Sequence, residues 1–223
     1  MLMFGTTIGG GDSVDKLKKY CTPGVQRAAD GDPYAYVVLS SNGHVPGAYQ
    51  TILEMAREKP HVEALVFLHT DFEILDPMFA RKVRFAINGG FDVVGLVGTN
   101  KLTSLYWWEH GQPSWRGYAE DGRDGRTVVD GGFSEGDPCP VASVDGMLFV
   151  LSRWAIDNVS FVPDEYPGLH AYAEEACMQV TKAGRHVCVT RIGAFHATSG
   201  GYAGGEEAFA RANETFKRRW SLG

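Results

Sequence analysis

Two side chains with metal-binding chemistry stand two residues apart in His69-Thr70-Asp71, directly after the apolar run Ala64-Leu65-Val66-Phe67-Leu68. Such a run predicts a strand covered on both faces, so the pair emerges at a strand's carboxyl edge, where open α/β sheets bind ligands. In extended chain, residues two apart point the same way, which lets His69 and Asp71 face one phosphate-bound metal ion. The pattern equally fits a hydrogen-bonded strand end with a solvated aspartate. A second acid, Asp145, stands beside Gly146 inside the apolar segment SVDGMLFV. A charge in such a run needs a partner, because unpaired burial is costly, and Gly146 permits a tight bend or a close approach by a ligand. Asp145 and Gly146 are therefore candidates for substrate contact or for a buried structural pair.

Asp164-Glu165 precedes His170-Ala171-Tyr172-Ala173-Glu174-Glu175. A helix from His170 to Ala183 places both glutamates in its first turns, where carboxylates favour the positive end. Neighbouring helix residues diverge by about 100°, so at most one of the two aims into a pocket as a general base. The other caps the helix or lies on its surface. His196, in RIGAFHATSGG, follows a strand and precedes a glycine-rich turn. Its imidazole suits Mn²⁺ less than a carboxylate does, yet serves in a mixed ligand set. Ser199 and the backbone of Gly200 and Gly201 are candidates to cradle phosphate oxygens, and Thr6 in GTTIGGGD is a candidate contact for a nucleotide cofactor.

The elements that must position these groups alternate along the chain. Strands are predicted at Leu2–Ile8, Tyr36–Leu39, Ala64–Leu68, Val93–Val97, Val141–Ser152 (around Gly146) and His186–Thr190. Helices are predicted from Pro46 to about Glu58, from Pro77 to about Asn88, from His170 to Ala183 and from Glu206 to Trp220, with a short helix or ordered loop from Asp12 to about Ala29. This rhythm predicts an α/β fold with a mostly parallel sheet in a single domain spanning residues 1–223. Thr103–Tyr118, which carries Trp107, Trp108 and Trp115, and the Gly- and Asp-rich Glu120–Gly132 read as irregular surface chain. Residues 100–135 are thus a candidate mobile segment, and the tryptophans stack on a sugar, form a closing loop or make a buried satellite.

Lys and Arg total 21 against 27 for Asp and Glu, a net charge of −6, and no basic block is present. A nucleic-acid partner is excluded on that balance, whereas a small anionic substrate held through a metal is not. The four cysteines show no CxxC spacing, and Cys177 and Cys188 read as buried thiols. No secretory h-region or run of membrane-span length occurs, so a cytoplasmic protein without a transmembrane span is the expectation. P-loop, nucleophile-elbow and HExxH patterns are missing, and Gly9-Gly10-Gly11 is not a dinucleotide fingerprint.

Taken in order, LVFLHTDFEIL, VVGLVG, SVDGMLFVLS, FVPDEYPGLHAYAEEACMQVTKAG, HVCVT and HATSGG resemble the segments of family 2-like glycosyltransferases of the GT-A type, over about Val37 to Tyr202. The resemblance implies a nucleotide-binding three-layer sandwich on a mixed, mostly parallel sheet. It implies transfer of a sugar from a nucleoside-diphosphate sugar to an acceptor hydroxyl, with Mn²⁺ or Mg²⁺ and inversion at the anomeric carbon. By this likeness His69-Thr70-Asp71 replaces the acidic DxD element, with Asp71 keeping the last acid, normally the direct metal ligand. Asp145 and Gly146 match a VDG segment bordering donor and acceptor, and His196 matches a late histidine that completes the metal site with Asp71. Gly168 to Glu175 matches a gfHxYDxD pattern in which Ala173 and Glu175 replace the two aspartates. Glu175 is thereby the preferred catalytic base, and Glu174 is second, by similarity to an acidic GGEDDD element in a related galactosyltransferase group. The acceptor is a glycan, a protein or a small molecule. Two other function classes share parts of the pattern. A sugar-phosphate nucleotidyltransferase usually carries a basic glycine-rich N-terminal loop, which GTTIGGGD lacks, and a non-catalytic carbohydrate-binding protein would use the tryptophans.

Overall fold

The computed structural model describes residues 1–11, 13–121, 127–131, 137–166, 168–197 and 204–222. Its strands are β1 (Leu2–Ile8), β2 (Tyr34–Ser40), β3 (Ala64–Leu68), β4 (Phe72–Ile74), β5 (Phe91–Gly95), β6 (Val97–Thr99), β7 (Trp115–Asp121), β8 (Thr127–Gly131), β9 (Cys139–Pro140), β10 (Ser143–Val144), β11 (Leu148–Ser152), β12 (His186–Val189) and β13 (Ala194–His196). The helices are α1 (Ser13–Lys16), joined by a π turn to α2 (Thr22–Ala29), then α3 (Val45–Arg57), α4 (Phe79–Asn88), α5 (Arg153–Asn158), α6 (Tyr172–Lys182) and α7 (Glu206–Trp220).

The central sheet has seven strands in the order β2-β1-β3-β11-β5-β12-β9. β1 pairs parallel with β2 and β3, and β5 pairs parallel with β12, while β11 and β9 oppose their neighbours. All five residues of β3 are buried because alternate side chains enter two separate helix layers. Val66 and Leu68 pack with Val25 and Ala28 of α2 and Val83 of α4. Leu65 and Phe67 pack with Ile52 and Leu53 of α3 and with Ala173 and Val180 of α6. Each such side chain contributes about 1.5–3 kcal/mol by leaving water. The spacing of Tyr49, Ile52, Leu53 and Ala56 gives α3 one apolar face, and its proline sits at the start, where a missing N–H costs nothing. The result is a three-layer α/β/α sandwich.

A second sheet runs β10-β6-β7-β13-β4, with β8 on β7. It corrects three expectations. The single strand expected over Val93–Val97 ends β5 in the central sheet and begins β6 in the second. The two stretches read as irregular, Thr103–Tyr118 and Glu120–Gly132, supply the paired strands β7 and β8, and the Thr-Val-Val segment of β8 suits extended chain. The single strand expected over Val141–Ser152 is two strands in different sheets, β10 and β11. The break is at Asp145-Gly146, where Asp145 Oδ1 accepts the Met147 N–H at 2.8 Å and turns the chain. Trp107 is buried in the core and meets Trp108 and Trp115 edge-on, at 5.8 and 5.9 Å between ring centroids. All four cysteines are buried and unbridged. Among the described residues no helix is long and apolar enough to cross a membrane.

Candidate active site

β3 delivers His69 to the carboxyl edge of the central sheet, where its N–H donates to the Met147 carbonyl at 3.0 Å on the approach to β11. The chain then enters β4, which pairs antiparallel with β13 in a register that sets His196 opposite Phe72. The Ala197 N–H donates to the Asp71 carbonyl at 2.9 Å and extends that pairing. Short as they are, these two strands bring a histidine from the last third of the chain against Asp71. His196 Nε2 lies 3.4 Å from Asp71 Oδ1, and Lys16 Nζ lies 4.0 Å from Asp71 Oδ2. Ligand atoms of His69, Asp71 and His196 all lie within 4.8 Å of one another.

His69 is oriented by α6, since Nε2 meets the Tyr172 hydroxyl at 2.7 Å. Gly146 makes that reach possible. A Cβ there would stand 2.7 Å from the Tyr172 ring and 2.8 Å from its hydroxyl, so any other residue would push Tyr172 aside. The turn containing Asp145 is thereby in contact with the helix that orients His69. Burial lowers the His69 pKa, and the neighbouring His196 lowers it further, which keeps the ring neutral and able to offer a lone pair.

The two glutamates of α6 point into different surroundings. Ala171 is left-handed (φ 74°), so the helix begins at Tyr172 rather than at His170. Glu174 is half-buried, and burial followed by the charge of Asp145 pushes its carboxyl up to about 8. Glu175 is fully buried with a donor at each acceptor position. Its Oε1 accepts from Gln179 at 2.7 Å and Arg219 at 3.0 Å, and its Oε2 from the Tyr166 hydroxyl at 3.0 Å and Trp220 at 2.8 Å. Arg219 also pairs with Glu165. Glu175, the acid preferred from the family pattern, thus fastens α7 to α6.

The structure gathers His69, Asp71 and His196, with the Asp145-Gly146 turn alongside through Tyr172. Thr6 is fully buried within β1, and Ser199 lies outside the described residues. Two residues of the site were not anticipated, Tyr172 and Lys16. Tyr172 stands at the tyrosine of the gfHxYDxD pattern, which gave it no role, and Lys16 is marked only by its place after the Gly9-Gly10-Gly11 turn. At the amino edge of the sheet, a cavity of about 440 Å³ is lined by Arg84, Asp92, Arg153, Trp154 and Arg185 among others. Its three arginines are already paired, with Glu63 and Asp32, with Asp157, and with Asp92.

No protein-family model matches the chain. The streptomycin biosynthesis protein StrF of Streptomyces griseus is 27% identical over 193 residues, which cover 85% of this chain and 63% of that protein. The chain therefore spans less than two thirds of the curated relative it matches. Among solved structures, A197 from STIV has a TM-score of 0.53 at 18% identity, covering 89% of this chain and 86% of that chain. S. aureus TarS 1–349 in complex with UDP-GlcNAc has a TM-score of 0.53 at 11% identity, covering 90% of this chain and 59% of that chain. At such identities the likeness is one of architecture. The chain has a GT-A-type glycosyltransferase fold built on a mixed, mostly parallel central sheet.

Proposed function

We propose that this chain transfers a sugar from a nucleoside-diphosphate sugar to an acceptor hydroxyl, with inversion at the anomeric carbon. The observation that carries the reading is the convergence of His69, Asp71 and His196 at the carboxyl edge of a GT-A-type sheet. Two imidazoles and one carboxylate form a mixed ligand set, which favours a transition ion such as Mn²⁺ over Mg²⁺, an ion that prefers oxygen ligands. Asp71 and His196 would hold the ion, with His69 oriented by Tyr172 as the third ligand. Bound there, the ion supplies positive charge for the departing nucleoside diphosphate.

Glu174 is the general base in this reading, in place of Glu175, whose acceptor positions are filled. Its carboxylate takes the proton of the acceptor hydroxyl as that oxygen bonds to the anomeric carbon from the face opposite the diphosphate. The bond from the anomeric carbon to the phosphate oxygen breaks with its electron pair leaving on the diphosphate. No second carboxyl group is required as an acid, since the leaving group departs as a stable anion. The fold and the order of the family 2-like segments support the reaction class.

The test is a donor panel with added Mn²⁺, read as nucleoside diphosphate release and then as the mass of the acceptor product. UDP-sugars head the panel because TarS is in complex with UDP-GlcNAc. Small-molecule acceptors come first because StrF is a streptomycin biosynthesis protein. Release of pyrophosphate instead would point to nucleotidyl transfer, and sugar binding without turnover to a carbohydrate-binding role; either overturns the reading.

A further inference from the structure

The position of Lys16 carries one step more, which rests on the reading of the metal site above. Lys16 ends α1, just after β1 and the Gly9-Gly10-Gly11 turn, and its Nζ lies 4.0 Å from Asp71 Oδ2. The other oxygen of Asp71 faces His196 at 3.4 Å. The Lys16 side chain is 30% exposed and that of Asp71 is 13% exposed, so water only partly screens this pair.

We propose that Lys16 is a charge gate: its ammonium faces Asp71 in the absence of a divalent ion and turns to the donor diphosphate when the ion binds. A divalent ion on Asp71 and an ammonium one carboxylate away repel each other. Lysine carries its charge on a flexible four-carbon stem with three donors, so it can leave Asp71 without any change of backbone. An anion beside the ion gives it somewhere to go, and a diphosphate is the anion this site receives. Lys16 therefore opposes metal binding alone and favours metal and diphosphate together. By linkage, each ligand strengthens the other by the same factor. No proton is transferred in the exchange.

The test uses the full chain and compares wild type, Lys16→Met, Lys16→Gln and Lys16→Arg, with Asp71→Ala as the control for the metal site. Mn²⁺ is titrated alone, with the unbound ion followed by electron paramagnetic resonance. UDP, GDP, ADP and dTDP are then titrated at saturating Mn²⁺ by calorimetry. Charges about 5 Å apart at the edge of solvent, repelling for the ion and attracting for the diphosphate, correspond to roughly a tenfold effect on affinity. Lys16→Met and Lys16→Gln should bind Mn²⁺ alone about tenfold more tightly, and the nucleoside diphosphate about tenfold more weakly, than wild type. Lys16→Arg should behave like wild type in both arms. If one neutral variant fails to fold, the other supplies the comparison. Unchanged or weaker Mn²⁺ affinity in the neutral variants, or unchanged nucleotide affinity, overturns the gate while leaving the metal site standing. If Asp71→Ala binds Mn²⁺ as wild type does, the metal site itself is lost, and the gate with it.

Discussion

Around Glu175, every acceptor position is met at 2.7–3.0 Å by a donor from Tyr166, Gln179, Arg219 or Trp220. Around Asp71, Oδ1 lies 3.4 Å from His196 Nε2 and Oδ2 lies 4.0 Å from Lys16 Nζ. The two clusters are linked by one helix, since Tyr172 and Glu175 lie in the first turn of α6. In the first cluster the polar groups satisfy one another, and desolvation of the carboxylate is offset by charge-assisted hydrogen bonds. In the second, ligand atoms of His69, Asp71 and His196 lie within 4.8 Å of one another, the arrangement on which the proposed metal site rests. Buried charge by itself does not identify a functional site.

The comparison breaks most sharply at Asp71. Asp71→Ala should lower transfer by roughly 10³-fold, on the scale of removing one stabilising group from a developing anion. It should also remove the metal response of nucleotide binding, followed by calorimetry; an intact response would end the assignment of Asp71 as a ligand. Glu174→Gln should reduce kcat by roughly 10²–10⁴-fold with donor affinity near wild type. Arg219→Met should do the reverse. It leaves Glu175 buried with a lost cation, which costs about 3–5 kcal/mol in urea unfolding, while turnover of the folded fraction persists. If Arg219→Met is stable but inactive, the division between the two clusters is wrong.

A pH series sharpens the same contrast. Folding raises the Glu174 carboxyl from 4.5 to about 8, so the folded state holds the extra proton between those values. Base competence therefore rises as pH climbs toward 8, and kcat/KM of wild type should rise with it, a limb missing in Glu174→Gln. Stability moves the other way, falling as pH increases through that window. The melting temperature of Glu174→Gln should accordingly gain on wild type between pH 5 and pH 8.5, which scanning calorimetry can follow; a constant difference would mean that Glu174 titrates as an ordinary carboxyl. The smallest effect is expected at Tyr172→Phe. Losing the hydroxyl that orients His69 should weaken Mn²⁺ binding about tenfold, measured by the same resonance titration, with the fold unchanged.

The strands of the central sheet were legible wherever burial on both faces leaves a continuous apolar run, as at Ala64–Leu68, which matches β3 residue for residue. The terminal helix Glu206–Trp220 was legible from its length and its one-sided apolar pattern. The second sheet was not. β4, β6 and β13 have three residues each and β10 has two, too few to show a period, and their pairing joins distant parts of the chain. His196 could be named a ligand candidate from its neighbours, but its approach to Asp71 depends on the β4–β13 register.

By residue type and order alone, the chain determined an α/β sheet, a His-x-Asp pair at a strand's carboxyl edge, and two adjacent glutamates of which one at most enters a pocket. That Glu175 is enclosed by α7 while Glu174 stays half-buried, and that Lys16 and Tyr172 lie beside Asp71 and His69, was decided in three dimensions. A helix turns each successive side chain by about 100°, so its first residue fixes where every later one points. Here that start is set by left-handed Ala171 and by α7 docking through Arg219 and Trp220, contacts from the far end of the chain that no local pattern contains.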